Sequence, residues 1–134
     1  MATFTAIRCK KQSASSMRGV IDYVEQEKKT RLGDAWLVSG SNCVPQSAFI
    51  EMQMTKERFR KADGTQFYHF VQSFSAEDNV TPQEANSIGL EFAQRQFPDF
   101  EVVVATHFNT GTYHNHFAGA PIRGRVNPHS KRQV

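Results

Sequence analysis

A chain of 134 residues, 39% hydrophobic and 22% charged, is long enough to bury a sizeable core and has none of the bias of collagen-like, mucin-like or disordered chains. No apolar run approaches the roughly 18 residues that a bilayer span needs, and Met1 to Lys11 lacks the apolar stretch of a secretory signal. The net charge of +3 is a mild invitation to polyanions that decides little by itself.

In chain order, Thr3 to Arg8 alternates and is rich in β-formers, which predicts a strand. The polar stretch from Lys10 to Ser16 leads into an amphipathic helix from about Ser16 to Glu27, with Met17, Val20, Ile21 and Val24 at helical spacing. Lys28-Lys29-Thr30 then forms a basic turn whose cations suit a helix C-terminus. Ala35 to Ser39 reads as a short strand. Pro45 to Lys61 reads as a second helix, with proline in its first turn and Asp63-Gly64 closing it. Gln66 to Phe74 is a strand of aromatic and β-branched residues. Thr81-Pro82-Gln83-Glu84 is a helix start with an N-cap threonine, proline at the first helical position and a capping-box glutamate. That helix repeats Ala85, Ile88, Gly89, Phe92 and Ala93 and stops before Pro98. Phe100 to Thr106 is apolar on both faces, as a covered central strand is. This order predicts one α+β domain over 1–134: an antiparallel sheet platform of about five strands with flanking helices. Residues 123–134 are expected to form a disordered tail.

Cys9 and Cys43 have no CxxC spacing, and read as reduced thiols of a cytoplasmic protein. Basic residues gather at Arg8, Lys10, Lys11 and Arg18, at Lys28, Lys29 and Arg31, and at Arg123, Arg125, Lys131 and Arg132, which together could track a phosphate backbone.

The stretch from Ala105 to Phe117 is the most informative. Asn109 to Thr112 is turn chemistry between two strand-like flanks. With Thr110-Gly111 as a two-residue hairpin turn, His107 falls directly opposite His114, on one face and with Cβ atoms roughly 5 Å apart. His116, two residues along, shares that face. Three of the five histidines thus become neighbours, in the layout of a catalytic metal site with open positions. Three neutral nitrogens suit Zn, Mn, Ni or Co by ligand type. His69, in the middle of its strand, reads either as a buried histidine or as an orienting partner of the ligands, and Asn109 as another such partner. Tyr68 reads as core, and Tyr113 as facing away from His114.

His114-Asn115-His116, with His107 on the neighbouring strand, resembles the third motif of the HUH endonucleases. Three further stretches, in the right order, resemble the MobA/VirD2 type of plasmid relaxase. They are Ile21-Asp22-Tyr23-Val24 followed by Lys29-Thr30; Leu37-Val38-Ser39-Gly40 followed by Asn42-Cys43; and Gln66 to Phe74 before the Thr81 helix. The resemblance runs from about Gln12 to Phe117. It implies a sheet platform holding a divalent ion, usually Mg or Mn, that grips the scissile phosphate of single-stranded DNA at a transfer origin. It also implies Tyr23 as the nucleophile, a 5′-phosphotyrosine link, and His107, His114 and His116 as metal ligands. A bacterial cytoplasmic setting and accessory mobilization proteins go with it; no membrane and no small-molecule cofactor do. The residues suit this chemistry in their own right, because a phenol ionises near pH 10 and needs a metal or a base to attack at neutral pH.

Two features depart from the family. Asn109 and Gly111 stand where the family often carries acids, and Ala118-Gly119-Ala120-Pro121 replaces an apolar strand, so the strand is expected to be short or kinked there. The same fold binding single-stranded DNA without turnover is the alternative reading. A metallohydrolase acting on a smaller substrate is a third, although no HExxH-type pairing accompanies the histidines.

Overall fold

The computed structural model describes residues 2–59, 65–108 and 111–122. Strand β1 (Thr3–Ile7) leads into helix α1 (Ala14–Val24), followed by the one-turn helix α2 (Glu27–Thr30) and a small hairpin of β2 (Arg31–Leu32) and β3 (Ala35–Trp36). Then come β4 (Val38–Ser41), a 3-10 turn (Pro45–Ser47) running into α3 (Ala48–Arg58), β5 (Tyr68–Ser73), α4 (Pro82–Gln96), β6 (Phe100–His107) and β7 (His114–Pro121). The five long-range strands form one antiparallel sheet in the order β1-β5-β7-β6-β4. The expected α+β platform is therefore present. The tail at 123–134 lies outside the described residues, as do Asn109, Thr110, Lys61, Asp63 and Gly64.

Helices cover both faces of the sheet. On one face, Met17, Ile21 and Val24 of α1 and Ala48 and Met52 of α3 bury against Val38, Val103, Ala105, Ala118 and Ala120. On the other, Ala93 of α4 and the adjacent Phe97 pack on Phe70, Val102, Val104 and Phe117. Both faces of β6 are consequently buried over its whole length, as the apolar run from Val102 to Ala105 predicts.

Several boundaries differ from the sequence reading for identifiable reasons. Helix α1 begins earlier, where the Ser13 hydroxyl accepts the Ser16 N–H, and it stops at Val24. Gln26 is non-helical, and the Val24 carbonyl is taken by a histidine ring rather than by a helical N–H. Lys28 to Thr30 is accordingly helical, in α2, instead of a turn. The segment from Ala35 to Ser39 is divided at Leu37, with its first part in the β2/β3 hairpin and its second in the main sheet. The second helix opens as a 3-10 turn because the Glu51 carboxylate accepts from both the Val44 N–H and the Ser47 hydroxyl. Strand β7 is neither shortened nor kinked: it runs eight residues. Gly119 eases the packing there, since a Cβ would stand 3.1 Å from Val102 Cγ2 and 3.3 Å from the Glu101 carbonyl oxygen. Pro121 falls at the strand's last position, where a missing N–H does least harm. The capping box of α4 is formed as expected, Thr81 and Glu84 each bonding the other's backbone N–H.

A polar chain crosses the α4 face. Ser39 donates to Asn86; Asn86 donates to the Leu37 and Val104 carbonyls and to Thr106; Thr106 donates to Asn115; Asn115 donates to Gln72 and to the Ala85 carbonyl. Asn86, Thr106, Asn115 and Gln72 are all buried. Each amide is satisfied from several sides, which is what makes such burial tolerable.

Candidate active site

The histidines occupy the face opposite that polar chain, because side chains alternate along a strand. His107 pairs directly with His114 across β6 and β7, the expected register, and the ladder ends at this pair rather than continuing to a two-residue turn. His116 lies two residues further along β7, opposite Ala105 on one side and Val71 of β5 on the other. The His107 and His116 rings stack with centroids 4.0 Å apart. His69 of β5 joins them, its Nε2 lying 2.9 Å from His116 Nδ1. It is buried as well as hydrogen-bonded to His116.

Helix α1 brings Tyr23 to this cluster. The phenol ring stands edge-on to His107 and His116, with centroids 5.8 and 5.9 Å away, and is 41% exposed and thus open to a large substrate. Two bonds hold this arrangement. His107 Nε2–H donates to the Val24 carbonyl at 2.9 Å, and the Phe108 N–H donates to the Lys29 carbonyl at 3.2 Å. The α1–α2 junction is thereby fastened to the end of β6. Lys29, half-buried on α2, places Nζ 4.3 Å from the centroid of the Tyr23 ring.

Burial, followed by the charge of His107, His69, His114 and Lys29, pushes His116 down to about 3. Burial is also the largest cause for His107, helped by Lys29 and His114 and opposed by the bond to Val24. His69 is lowered by burial and then by His107. All three rings are therefore neutral at pH 7 and keep one lone pair each.

Among the described residues, no three His, Cys, Asp or Glu side chains turn their donor atoms to one common point. The rings are gathered, but His107 Nε2 is engaged by Val24 and His116 Nδ1 by His69. The donor chemistry nevertheless fits a divalent cation. A carbonyl can only accept, so His107 Nε2 carries its hydrogen and Nδ1 bears the lone pair. If His116 Nδ1 donates to His69, its Nε2 is free, the arrangement by which ligand histidines are usually oriented.

Of the basic residues, Arg8, Lys10, Lys11 and Lys28 are exposed. Arg18 is turned toward its own helix pair, 3.8 Å from Asp22 and over the Phe49 ring at 5.3 Å. Arg123 and Arg125 lie outside the described residues. Tyr68 stacks on Phe70 at the edge of the second core, as expected. What sequence reasoning missed is the approach of Lys29 to Tyr23 and the role of the Val24 carbonyl. Neither leaves a local signal, because both depend on how α2 docks on β6. Cys9 and Cys43 are free thiols, and burial, then Glu51, Glu101 and Glu25, pushes Cys43 up to about 12, so it is not a nucleophile at neutral pH.

These features define a class: an α+β protein with a histidine cluster on its sheet and a helix-borne tyrosine facing it. The family model described as "Relaxase: MobA/VirD2-like, nuclease domain" matches residues 23–131, and the chain belongs to that family. It is 33% identical over 104 residues to Protein rlx of Staphylococcus aureus, covering 78% of this chain and 30% of that protein. It is 34% identical over 79 residues to the group II intron-interrupted relaxase LtrB of Lactococcus lactis subsp. cremoris, covering 56% of this chain and 13% of that one. The chain thus spans about a third of the length of the first of these relatives. No solved structure matches it significantly. Among the described residues no helix is long and apolar enough to cross a membrane.

Proposed function

We propose that this chain is a metal-dependent nicking transesterase for single-stranded DNA, acting at a plasmid transfer origin in the bacterial cytoplasm with accessory mobilization proteins as partners. The observation that carries the reading is the approach of Tyr23 to the rings of His107 and His116, which lie on a different element far along the chain. In this reading Tyr23 Oη attacks the scissile phosphorus and the bond to the 3′ oxygen breaks. A 5′-phosphotyrosine and a free 3′-hydroxyl result, and the bond energy is retained for religation.

The chain's own residues supply orientation. Val24 fixes the plane of His107, His69 fixes that of His116, and the edge-on packing holds the phenol beside both. His107, His114 and His116 would hold a divalent ion, Mn or Mg by family and Mn, Zn, Ni or Co by donor type. Bound there, the ion supplies Lewis-acid polarisation of the phosphoryl oxygens. Exposed Arg8, Lys10, Lys11 and Lys28, with Arg18, Arg123 and Arg125, would follow the DNA backbone.

The test uses a labelled pool of randomised single-stranded 40-mers with Mn2+, resolved on denaturing gels. The wild type is expected to form a covalent protein–DNA adduct that Tyr23→Phe abolishes. An adduct that persists in Tyr23→Phe removes Tyr23 from the mechanism. Retention of DNA without an adduct in any divalent metal converts the reading to a binding module.

A further inference from the structure

We infer that Lys29 is a catalytic residue of this site: its ammonium holds a non-bridging oxygen of the scissile phosphate opposite the histidines and offsets the charge gained as Tyr23 bonds to phosphorus. This inference rests on the transesterase reading above and goes further, because it separates Lys29 from the general basic surface.

Placement is the first argument. The adjacent Lys28 is exposed, whereas Lys29 is half-buried with Nζ over the Tyr23 ring. The segment that carries it is fastened at several points. The Lys29 carbonyl accepts from the Phe108 N–H, the buried Thr30 hydroxyl donates to the Gln26 carbonyl, and the Leu37 N–H donates to the Thr30 carbonyl.

Charge is the second argument. Among the described residues Lys29 has no carboxylate partner: the ion pairs near it go to Arg18 with Asp22 and Arg31 with Glu27. Its Nζ lies against the Tyr23 ring, whose edge contacts with His107 and His116 put the cation on the same side of the sheet as those rings. A cation aimed at a site that would receive a second cation is repulsive unless an anion lies between them. A phosphodiester carries one negative charge, and the phosphorane formed on attack by a phenolate carries two. Lys29 therefore gains most as the charge grows, which is the condition for accelerating the step rather than only binding the substrate.

The step balances without redox change. The Tyr23 Oη–P bond forms, the P–O3′ bond breaks, the phenolic proton leaves to solvent and the 3′ oxygen takes a proton from water. Lys29 exchanges no proton in this step.

The experiment compares wild type, Lys29→Met and Lys29→Arg in the Mn2+ assay with randomised single-stranded 40-mers. It measures the initial adduct rate at saturating DNA, DNA affinity by anisotropy and Mn2+ affinity by calorimetry. Lys29→Met is expected to lower the saturating rate by at least about thirtyfold, in the range for losing one charge contact in a transition state. Mn2+ affinity should stay within about threefold, and Lys29→Arg should recover most of the rate. A saturating rate within about threefold of wild type, or a loss confined to DNA affinity, overturns the inference. If the wild type forms no adduct, the transesterase reading fails instead. Lys29 is then judged by calorimetric binding of the dinucleotide thymidylyl-thymidine in Mn2+, where Lys29→Met should weaken affinity at least about fivefold and an unchanged affinity overturns the contact.

Discussion

One oxygen of Glu25, Oε2, is buried without a hydrogen-bond partner among the described residues, one residue beyond the carbonyl that holds His107. Burial, and then the neighbouring Asp22, pushes its carboxyl up to about 7. A folded-state value above the unfolded one means that the native protein binds more protons across that interval. The contribution is then fully favourable below about pH 4.5 and is lost as pH rises through about 7. Glu25→Gln removes the buried charge while keeping the shape. It is expected to raise Tm at pH 8.5, with the advantage gone by pH 4.5; a Tm difference that does not change with pH would refute this account of Glu25. Legibility at this scale was uneven. The facing of His107 and His114 could be read from two strand flanks centred on Thr110-Gly111, because an antiparallel register follows from the centre of the connection. The bond between His69 and His116 could not, because it needs the pairing of β5 with β7, whose residues lie far apart in the chain.

Strands β6 and β7 carry the candidate site on one face and the buried polar chain on the other. Thr106 immediately precedes His107, and Asn115 stands between His114 and His116. A slip of β7 by one residue would turn His114 and His116 toward α4, away from His107. The Thr106–Asn115 bond, 2.6 Å long, opposes that slip, and Asn115 further ties β7 to Gln72 of β5 and to the Ala85 carbonyl of α4. Gly89 leaves the room: a Cβ there would stand 2.5 Å from Asn115 Nδ2. Asn115→Leu keeps the branched outline of the side chain, though not its smaller volume, and strands Thr106 and Gln72. It is expected to cost about 2–4 kcal/mol in urea unfolding and to lower Mn2+ affinity at least about tenfold. A variant equally destabilised but with wild-type metal affinity would show that the polar chain supports the fold and leaves the site alone. Little of this was visible in the sequence. Asn86, Thr106, Asn115 and Gln72 sit in four different elements and read individually as ordinary polar residues, whereas Thr81 to Glu84 announced its helix because both partners of the cap are local.

Across the whole molecule, the class of fold was legible and the strand order was not. Periodicity and turn residues give the elements, but nothing local says that β1 lies beside β5 or that β4 closes the opposite edge. That order has an energetic consequence. Three histidines ride on the neighbouring strands β6 and β7, and His107 is bonded to the end of α1, so the cluster joins the α1 layer to the sheet. Unfolding must separate that layer from the sheet and disperse the cluster, so a ligand of the cluster stabilises the entire domain by mass action. Mn2+ at about a hundred times its dissociation constant would add roughly 2.7 kcal/mol, a rise in Tm on the order of 10 °C for a domain of this size. The lowered proton affinities of His107 and His116 add a second expectation: at pH 7 neither ring has a proton to give up. Calorimetry in buffers of different ionisation enthalpy should therefore find well under one proton released per Mn2+ bound. His107→Ala should abolish the Tm rise. A rise of equal size in that variant, or release of two or more protons by the wild type, would mean that the ion binds elsewhere or that the rings are charged before it arrives.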